Sequence, residues 1–334
     1  MTPNPNDPLG GEATGRDFFA VSPLMLFPET QPEFRVYLKQ EGRYVLFTSE
    51  SDRFDEPTRQ SLFNLGIQRV YVPQEQRRRY ARYLQDNLGR ILGDPEIALE
   101  ERASTFVSAS NDILREVFSK RLPERVSKVL FSRVQKLVED SIGFLGREES
   151  LKSIARLISR DYQSFTHSVN VYAFAASVLH TYGLDHDKMV EAGVGALMHD
   201  VGKAKLPQRI LDNQGAPMTP EDEQTFRTHP IHGVSLCSNL PLTQESTNII
   251  LFHHERHDGQ GYPGGMAGNA IPLPVRVVSV CDVYDNLTTS RPQAKARTPF
   301  MALKHMREDM QGAFDIDVFK RMVLVLSGAD IVQE

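Results

Sequence analysis

Cysteine is scarce in this 334-residue chain. The two present, Cys237 and Cys281, exclude a disulfide framework and suit a reducing cytoplasm. No basic excess marks a nucleic-acid binder, because the formal net charge is −5. There is no apolar run of about 18 residues, so no membrane span is expected. The opening stretch MTPNPNDPLGGEATG lacks the basic and apolar regions of a signal peptide; residues 1–16 read as a disordered leader. Histidine is missing from the whole first part: the chain has 10, and none precedes His167. That asymmetry predicts two different kinds of domain, and about two is also what the length suggests.

What is present separates accordingly. Phe34–Thr48 alternates apolar and polar residues around Glu41-Gly42, which predicts a hairpin. EPTRQSLFNLG has helical spacing closed by Gly66, and IQRVYVP reads as a short strand ended by Pro73. These make a small α+β domain over about 17–92. Arg77, Arg78, Arg79 and Arg82 read as a solvated helix face rather than an anion contact. Over 93–147 two amphipathic helices are expected, either a dimerising connector or a face packed on its own domain. From about 148 onward helices are expected over 150–160, 164–183, 186–201, 220–239, 242–256, 299–311 and 315–328. GQGYPGGMAGNAIPLP is too rich in Gly and Pro to be helical. VRVVSVCDVYDNL alternates like a strand at first and then suits a helix.

Five clusters in this second part share one chemical vocabulary. They are His167, His199-Asp200, His229, His253-His254 and Asp282. A lone helical histidine, such as His180 or His186, is more often a hydrogen-bonded structural residue. Recurrence at the ends of successive apolar helices is different, since helices of one bundle can aim side chains into a shared site. Histidine with aspartate and no thiolate fits iron(II), manganese(II) or zinc. Seven ligands exceed one tetrahedral zinc, so two ions with Asp200 as the bridging carboxylate fit better. Such a pair, about 3.5–4 Å apart, suits in-line displacement at phosphorus. Lys203, three residues beyond Asp200, can bring an ammonium to a phosphate oxygen. Arg291, Lys295 and Arg297 add cations that suit a polyanionic substrate. Glu255 and Asp258 are candidates for orienting the histidines.

HDVGK, THP, HHERHDGQGYP and DVYDNLTTSRP stand in the order and approximate spacing of HD-GYP domains, and about 148–330 resembles that subclass of the HD hydrolase superfamily. The resemblance implies an all-α helical bundle over 148–334 and an α+β chain overall. VRVVSVCDVYDNL then becomes mostly helix. It implies a cytoplasmic, metal-dependent phosphodiesterase acting on cyclic di-GMP and giving pGpG or GMP. By motif, metal ligands fall on His167, His199, Asp200, His229, His253, His254 and Asp282. Two iron or manganese ions are expected, with zinc, nickel or magnesium as substitutes. Asp200 and Lys203 carry catalysis; Lys203, Arg291 and Lys295 meet substrate phosphate. Asp285 is placed with the substrate-binding residues, supporting the site from one turn beyond Asp282. Gly261, Tyr262 and Pro263 shape the rim or dock other signalling proteins.

Two departures qualify the resemblance. Members that bind a third metal carry Glu four residues before the first histidine; here that residue is Gln163, so two metals are predicted. The usual RPYK run is RPQA, with Gln293 and Ala294, and Lys295 is the candidate replacement cation. Two alternatives follow: a module that binds nucleotide or partner without turnover, and a hydrolase of another cyclic dinucleotide or nucleotide.

Overall fold

The computed structural model describes residues 17–118, 125–157, 164–212, 217–291 and 293–332. The expected leader, Gln163 and the end of the helix expected over 150–160 lie outside the described residues. Two compact units divide the chain, Met1–Arg102 and Ala103–Glu334.

The first unit holds a four-stranded antiparallel sheet in the order β1-β4-β2-β3, from β1 (Phe18–Val21), β2 (Val36–Gln40), β3 (Arg43–Thr48) and β4 (Val70–Pro73). The expected hairpin is β2–β3. Glu41 and Gly42 turn it with φ of 48° and 82°, the left-handed pair whose twist matches the flanking strands. α1 (Glu56–Asn64) starts where the Asp55 carboxylate accepts the Thr58 N–H at 2.9 Å. It stops at Gly66, φ 64°, where Ile67 N–H donates to the Leu62 carbonyl at 3.0 Å. α2 (Arg77–Asp86) and α3 (Leu88–Gly93) complete the unit. Leu26, Phe34, Phe54, Leu62, Val70 and Val72 lie in its core. The arginines of α2 are exposed: Arg77 lies over the Phe19 ring, and Arg79 pairs with Glu50. That is the solvated face the sequence predicts.

The second unit is helical, and its first helix begins just before its boundary, at Leu99. Its elements are α4 (Leu99–Val117), α5 (Lys128–Leu145), α6 (Glu148–Leu157), α7 (Ser164–His180), α8 (His186–Met198), α9 (Gln208–Leu211), α10 (Pro220–Phe226), α11 (His229–Leu236), α12 (Gln244–Phe252), α13 (Leu273–Thr288), α14 (Pro299–Glu308) and α15 (Ile316–Gly328). α7 is the central rod, buried at every residue from His167 to Leu179 and packed by α5, α6, α8, α13 and α15. A helix apolar all round demands such a position. α13 is buried on most sides too, and this tertiary setting overrides the strand-like alternation of its first half. No described helix is long and apolar enough to cross a membrane.

Several expected helices are shorter than their apolar spacing suggests, and the one expected over 242–256 runs only Gln244–Phe252. The one expected over 186–201 ends at Met198, and a tight 3-10 turn, Val201–Lys205, follows. The one expected over 220–239 is two helices, α10 and α11, because the chain turns at Arg227-Thr228 and Pro230 restarts it. The 3-10 turn lies against α11 so closely that a Cβ on Gly202 would stand 1.8 Å from the His229 carbonyl oxygen and 2.5 Å from Gly233 N. Gly143 of α5, by contrast, faces open space.

Gly202→Ala is therefore expected to destabilise the second unit by more than about 3 kcal/mol, since backbone must move. Gly143→Ala is expected to stabilise by about 0.5–1 kcal/mol through helix propensity. Thermal unfolding of both variants against the parent checks the opposite signs.

Candidate metal centre

All seven predicted ligands converge. His167 comes from the first turn of α7 and Asp282 from α13. His199 and Asp200 directly follow α8, His229 opens α11, and His253 and His254 directly follow α12. Three of the histidines sit where a helix runs out of hydrogen-bond partners. Nδ1 of His199 lies 2.7 Å from the Ala196 carbonyl, at the end of α8. Nδ1 of His229 lies 2.7 Å from the Phe226 carbonyl, at the end of α10. Nδ1 of His253 lies 3.1 Å from the Ile250 carbonyl, in the last turn of α12. Each ring thus donates to a carbonyl three residues back that the helix leaves unpaired. His167 Nδ1 instead meets the Asp285 carboxylate at 2.7 Å. With Nδ1–H committed outward, the Nε2 lone pairs point inward, the tautomer a metal requires.

The inward atoms form two groups, Asp200 with His229, His253 and His254, and His167 with His199 and Asp282. Asp200 reaches both. Its Oδ1 lies 3.3 Å from His229 Nε2 and 3.8 Å from His253 Nε2, while its Oδ2 lies 3.4 Å from His199 Nε2 and 3.6 Å from His167 Nε2. Asp282 Oδ1 stands 2.9 Å from His167 Nε2. Six of these side chains are essentially fully buried; His254 is 19% exposed. Among the described residues, the buried His254 Nε2 atom has no hydrogen-bond partner. An orphaned buried nitrogen beside two carboxylates is a donor set that divalent cations fit.

The family model for the HD domain matches residues 134–318, more than half the chain. The chain belongs to the HD domain family. A cyclic di-GMP phosphodiesterase of Pseudomonas aeruginosa is 37% identical over 188 residues, 55% of this chain and 44% of that protein. A cyclic di-GMP phosphodiesterase response regulator of Xanthomonas campestris is 33% identical, over 58% of this chain and 52% of its own. A 3′3′-cGAMP-specific phosphodiesterase of Vibrio cholerae is 29% identical over 54% of this chain and 42% of its own. The chain spans about half the length of the curated relatives it matches, or less. An HDG"Y"P protein from Bdellovibrio bacteriovorus shares the fold, with TM-score 0.63 and 22% identity over 93% of this chain and 100% of its own.

In this HD domain the supporting residues differ from some sequence expectations. One Asp285 carboxylate oxygen receives Asn170 at 2.9 Å, and the other lies 2.7 Å from His167 Nδ1 and 3.3 Å from Thr289 Oγ1. It is an orienting group for His167. Glu255 and Asp258 do not orient histidines. The buried Glu255 carboxylate accepts the Gly264 and Met266 N–H groups, and Asp258 pairs with Arg256 and accepts the Gln260 N–H, so both shape the glycine-rich loop. Gly261 lies so near the chain of His254–Arg256 that a Cβ would meet backbone at 2.4–2.6 Å. Tyr262 stacks on His254 beside it. Pro263 follows in cis linkage to Tyr262. Lys203 is buried, ion-paired to Asp200 Oδ2, and lies over the Phe226 ring at 5.3 Å. Arg291 donates to Asn286 Oδ1, and the Asn286 amide donates to Asp282 Oδ1 at 2.7 Å. Lys295 is exposed on the segment between α13 and α14. Asn170, Phe226 and Asn286 were not picked out from the sequence, although Asn170 and Asn286 lie one helical turn from a ligand.

Burial works to raise the Asp200 carboxyl, but the Lys203 ammonium, then His199 and His229, outweigh it and hold the group well below the usual range. Burial likewise opposes ionisation of Asp282, and the His167 hydrogen bond and charge overcome it. Burial, with the neighbouring imidazoles, holds His253 well below its ordinary value. Burial brings His254 down to about 3 despite Asp282. The site therefore holds anionic carboxylates and two neutral imidazoles at neutral pH, the forms that ligate metal.

These shifts fix the sign of the acid response. Below about pH 6.5 an unfolded histidine takes a proton that folded His253 and His254 refuse, so the unfolded state gains protons and stability falls with pH. The depressed carboxyls, protonated first in the unfolded chain below about pH 4, extend the loss in the same direction. The metal-free protein is expected to take up about two protons from solvent, at His253 and His254, on unfolding between pH 6 and 4. Denaturant titrations across that range check this, and His254→Gln should remove about one of the two.

Proposed function

We propose that the protein is a dinuclear-metal phosphodiesterase that hydrolyses cyclic di-GMP to pGpG or GMP in bacterial second-messenger signalling. The observation that carries this reading is Asp200, which turns one carboxylate oxygen toward each of two histidine-containing donor groups. His229, His253 and His254 would hold one ion, and His167, His199 and Asp282 the other, with Asp200 bridging. Iron or manganese suits this His/Asp set best, and zinc, nickel or magnesium would compete for it. Ions bound there would lower the pKa of a water nucleophile and screen the charge that develops on phosphoryl oxygens.

The chain's own groups do the rest. Lys203, three residues from Asp200 and out of bulk water, presents an ammonium to a non-bridging phosphate oxygen. Arg291, fixed through Asn286 to Asp282, grips a phosphate from the other side of that carboxylate. Lys295 supplies a further, solvent-facing cation. Gly261, Tyr262 and Pro263 form the rim, where signalling partners would dock. The 17–92 domain regulates or places the 148–334 catalytic domain, and the helices of 93–147 connect them and offer a homodimer surface. The protein works in the cytoplasm. A second reading, turnover of another cyclic dinucleotide, draws on the 3′3′-cGAMP-specific relative and on the departure at Gln293 and Ala294.

Anaerobically prepared protein loaded with iron(II) or manganese(II) is expected to linearise cyclic di-GMP faster than 3′3′-cGAMP. The reverse order would favour the second reading, and no turnover of either with either metal would sink the enzyme. Asp200→Asn is expected to lose the metal pair. Lys203→Ala is expected to keep both ions by elemental analysis while kcat falls about 100- to 1000-fold, the usual loss for a group that stabilises developing charge.

A further inference from the structure

Among the described residues, His254 is the one candidate ligand whose orientation no hydrogen bond explains. The other four histidines commit Nδ1 to a carbonyl or to Asp285. His254 Nδ1 stands 3.7 Å from the nearest Asp282 oxygen, beyond hydrogen-bonding distance, and its Nε2 has no partner among the described residues. It is also the most exposed of the set. Something else must hold the ring.

Besides the neighbouring candidate ligands His253 and His229, whose ring centroids lie 4.1 and 5.0 Å away, what touches it is a stack. The Tyr262 ring lies nearly parallel to the imidazole, centroids 4.7 Å apart and planes 29° apart. The Arg227 guanidinium lies over Tyr262, 5.1 Å from the ring centre. Arg227 is tethered by Glu223 one helical turn back, at 2.5 Å. The loop under Tyr262 is itself anchored: Tyr262 N–H donates to the His254 carbonyl at 3.2 Å, and Glu255 receives Gly264 and Met266.

We infer that Tyr262 and Arg227 are positioning residues for His254, and through it for the metal site shared by Asp200, His229 and His253. The inference rests on the two-metal reading above. Stacking supplies here what hydrogen bonds supply to the other histidines. An imidazole gripped on its face keeps its ring plane, so its lone pair stays aimed with less rotamer freedom to lose when an ion binds. Arg227, which belongs to no motif of the sequence, extends the stack from the turn that separates α10 from α11. That same turn places His229. The geometry therefore ties two ligands of one site to a single short segment, while the site of His167, His199 and Asp282 has no share in the stack.

Manganese(II) titration of the full-length, metal-free protein tests this, by calorimetry and by the spin-coupled signal of the ion pair. Tyr262→Leu should weaken one of two sites about 10-fold, in the range seen for groups that orient a ligand. The other site should be unchanged. Tyr262→Phe should restore affinity to within about 2-fold, because the ring face and not the hydroxyl acts. Arg227→Gln, at a partly exposed position that leaves folding intact, should cost the same site about 2- to 5-fold. Two ions in the parent with unaltered affinity in Tyr262→Leu would overturn the stack alone, as would equal weakening of both sites or failure of Tyr262→Phe to rescue. Fewer than two ions in the parent would overturn the two-metal reading and this inference with it.

Discussion

The interaction on which the rest of the site depends is the hydrogen bond from an imidazole Nδ1–H to the last carbonyls of a helix. A helix end leaves several carbonyls without partners, and inside a protein no water is at hand to satisfy them. His199, His229 and His253 meet that need at the ends of α8, α10 and α12. The same bond selects the tautomer and turns Nε2 away from the helix. Packing and ligation are thus not competing demands here: the group that closes the helix is the group that presents a lone pair. The negative end of each helix dipole also favours the partial positive charge of the donating N–H.

Burial then sets the charge state. The three helix ends converge beside α7, a helix with no exposed face between His167 and Leu179. In that setting neutral imidazoles are preferred over charged ones, while the carboxylates stay ionised only through the cations and donors around them. The arrangement concentrates anionic charge at two points, Asp200 and Asp282, beside the neutral imidazoles of His253 and His254. Lys203, lying against Asp200 and the Phe226 ring, is the nearest fixed cation to that charge.

Much of this was legible in the sequence, and the reasons for the rest are physical. The hairpin at Glu41-Gly42 and the stop at Gly66 are backbone chemistry, so local residues declare them. The seven donors were legible because His and Asp recurring at the ends of apolar stretches would be costly to bury unless they met one another or a cation. The break at Arg227-Thr228 was not, because apolar spacing continues across it and only Pro230 marks the restart. Missing that break concealed why His229 faces inward. The roles given to Glu255 and Asp258 were misread for a common reason: a carboxylate near a histidine in sequence need not be near it in space. Asp285 reaches a histidine 118 positions away, whereas Glu255, next to His254, turns to the N–H groups of Gly264 and Met266. Asn286 and Asn170 carry no charge to draw notice, yet each fixes a carboxylate.

The carbonyl-to-imidazole bonds span only three residues of chain each, and this has an evolutionary consequence. Where each of these donors points is decided within its own helix end, independently of how long the connections between helices are. Insertions and deletions in those connections can therefore accumulate without turning a donor away from the centre, provided the helices still pack side by side. Coordination geometry becomes heritable in small local pieces. Sequence drift is then tolerated between the pieces and resisted within them, at the few positions where a helix ends on a histidine.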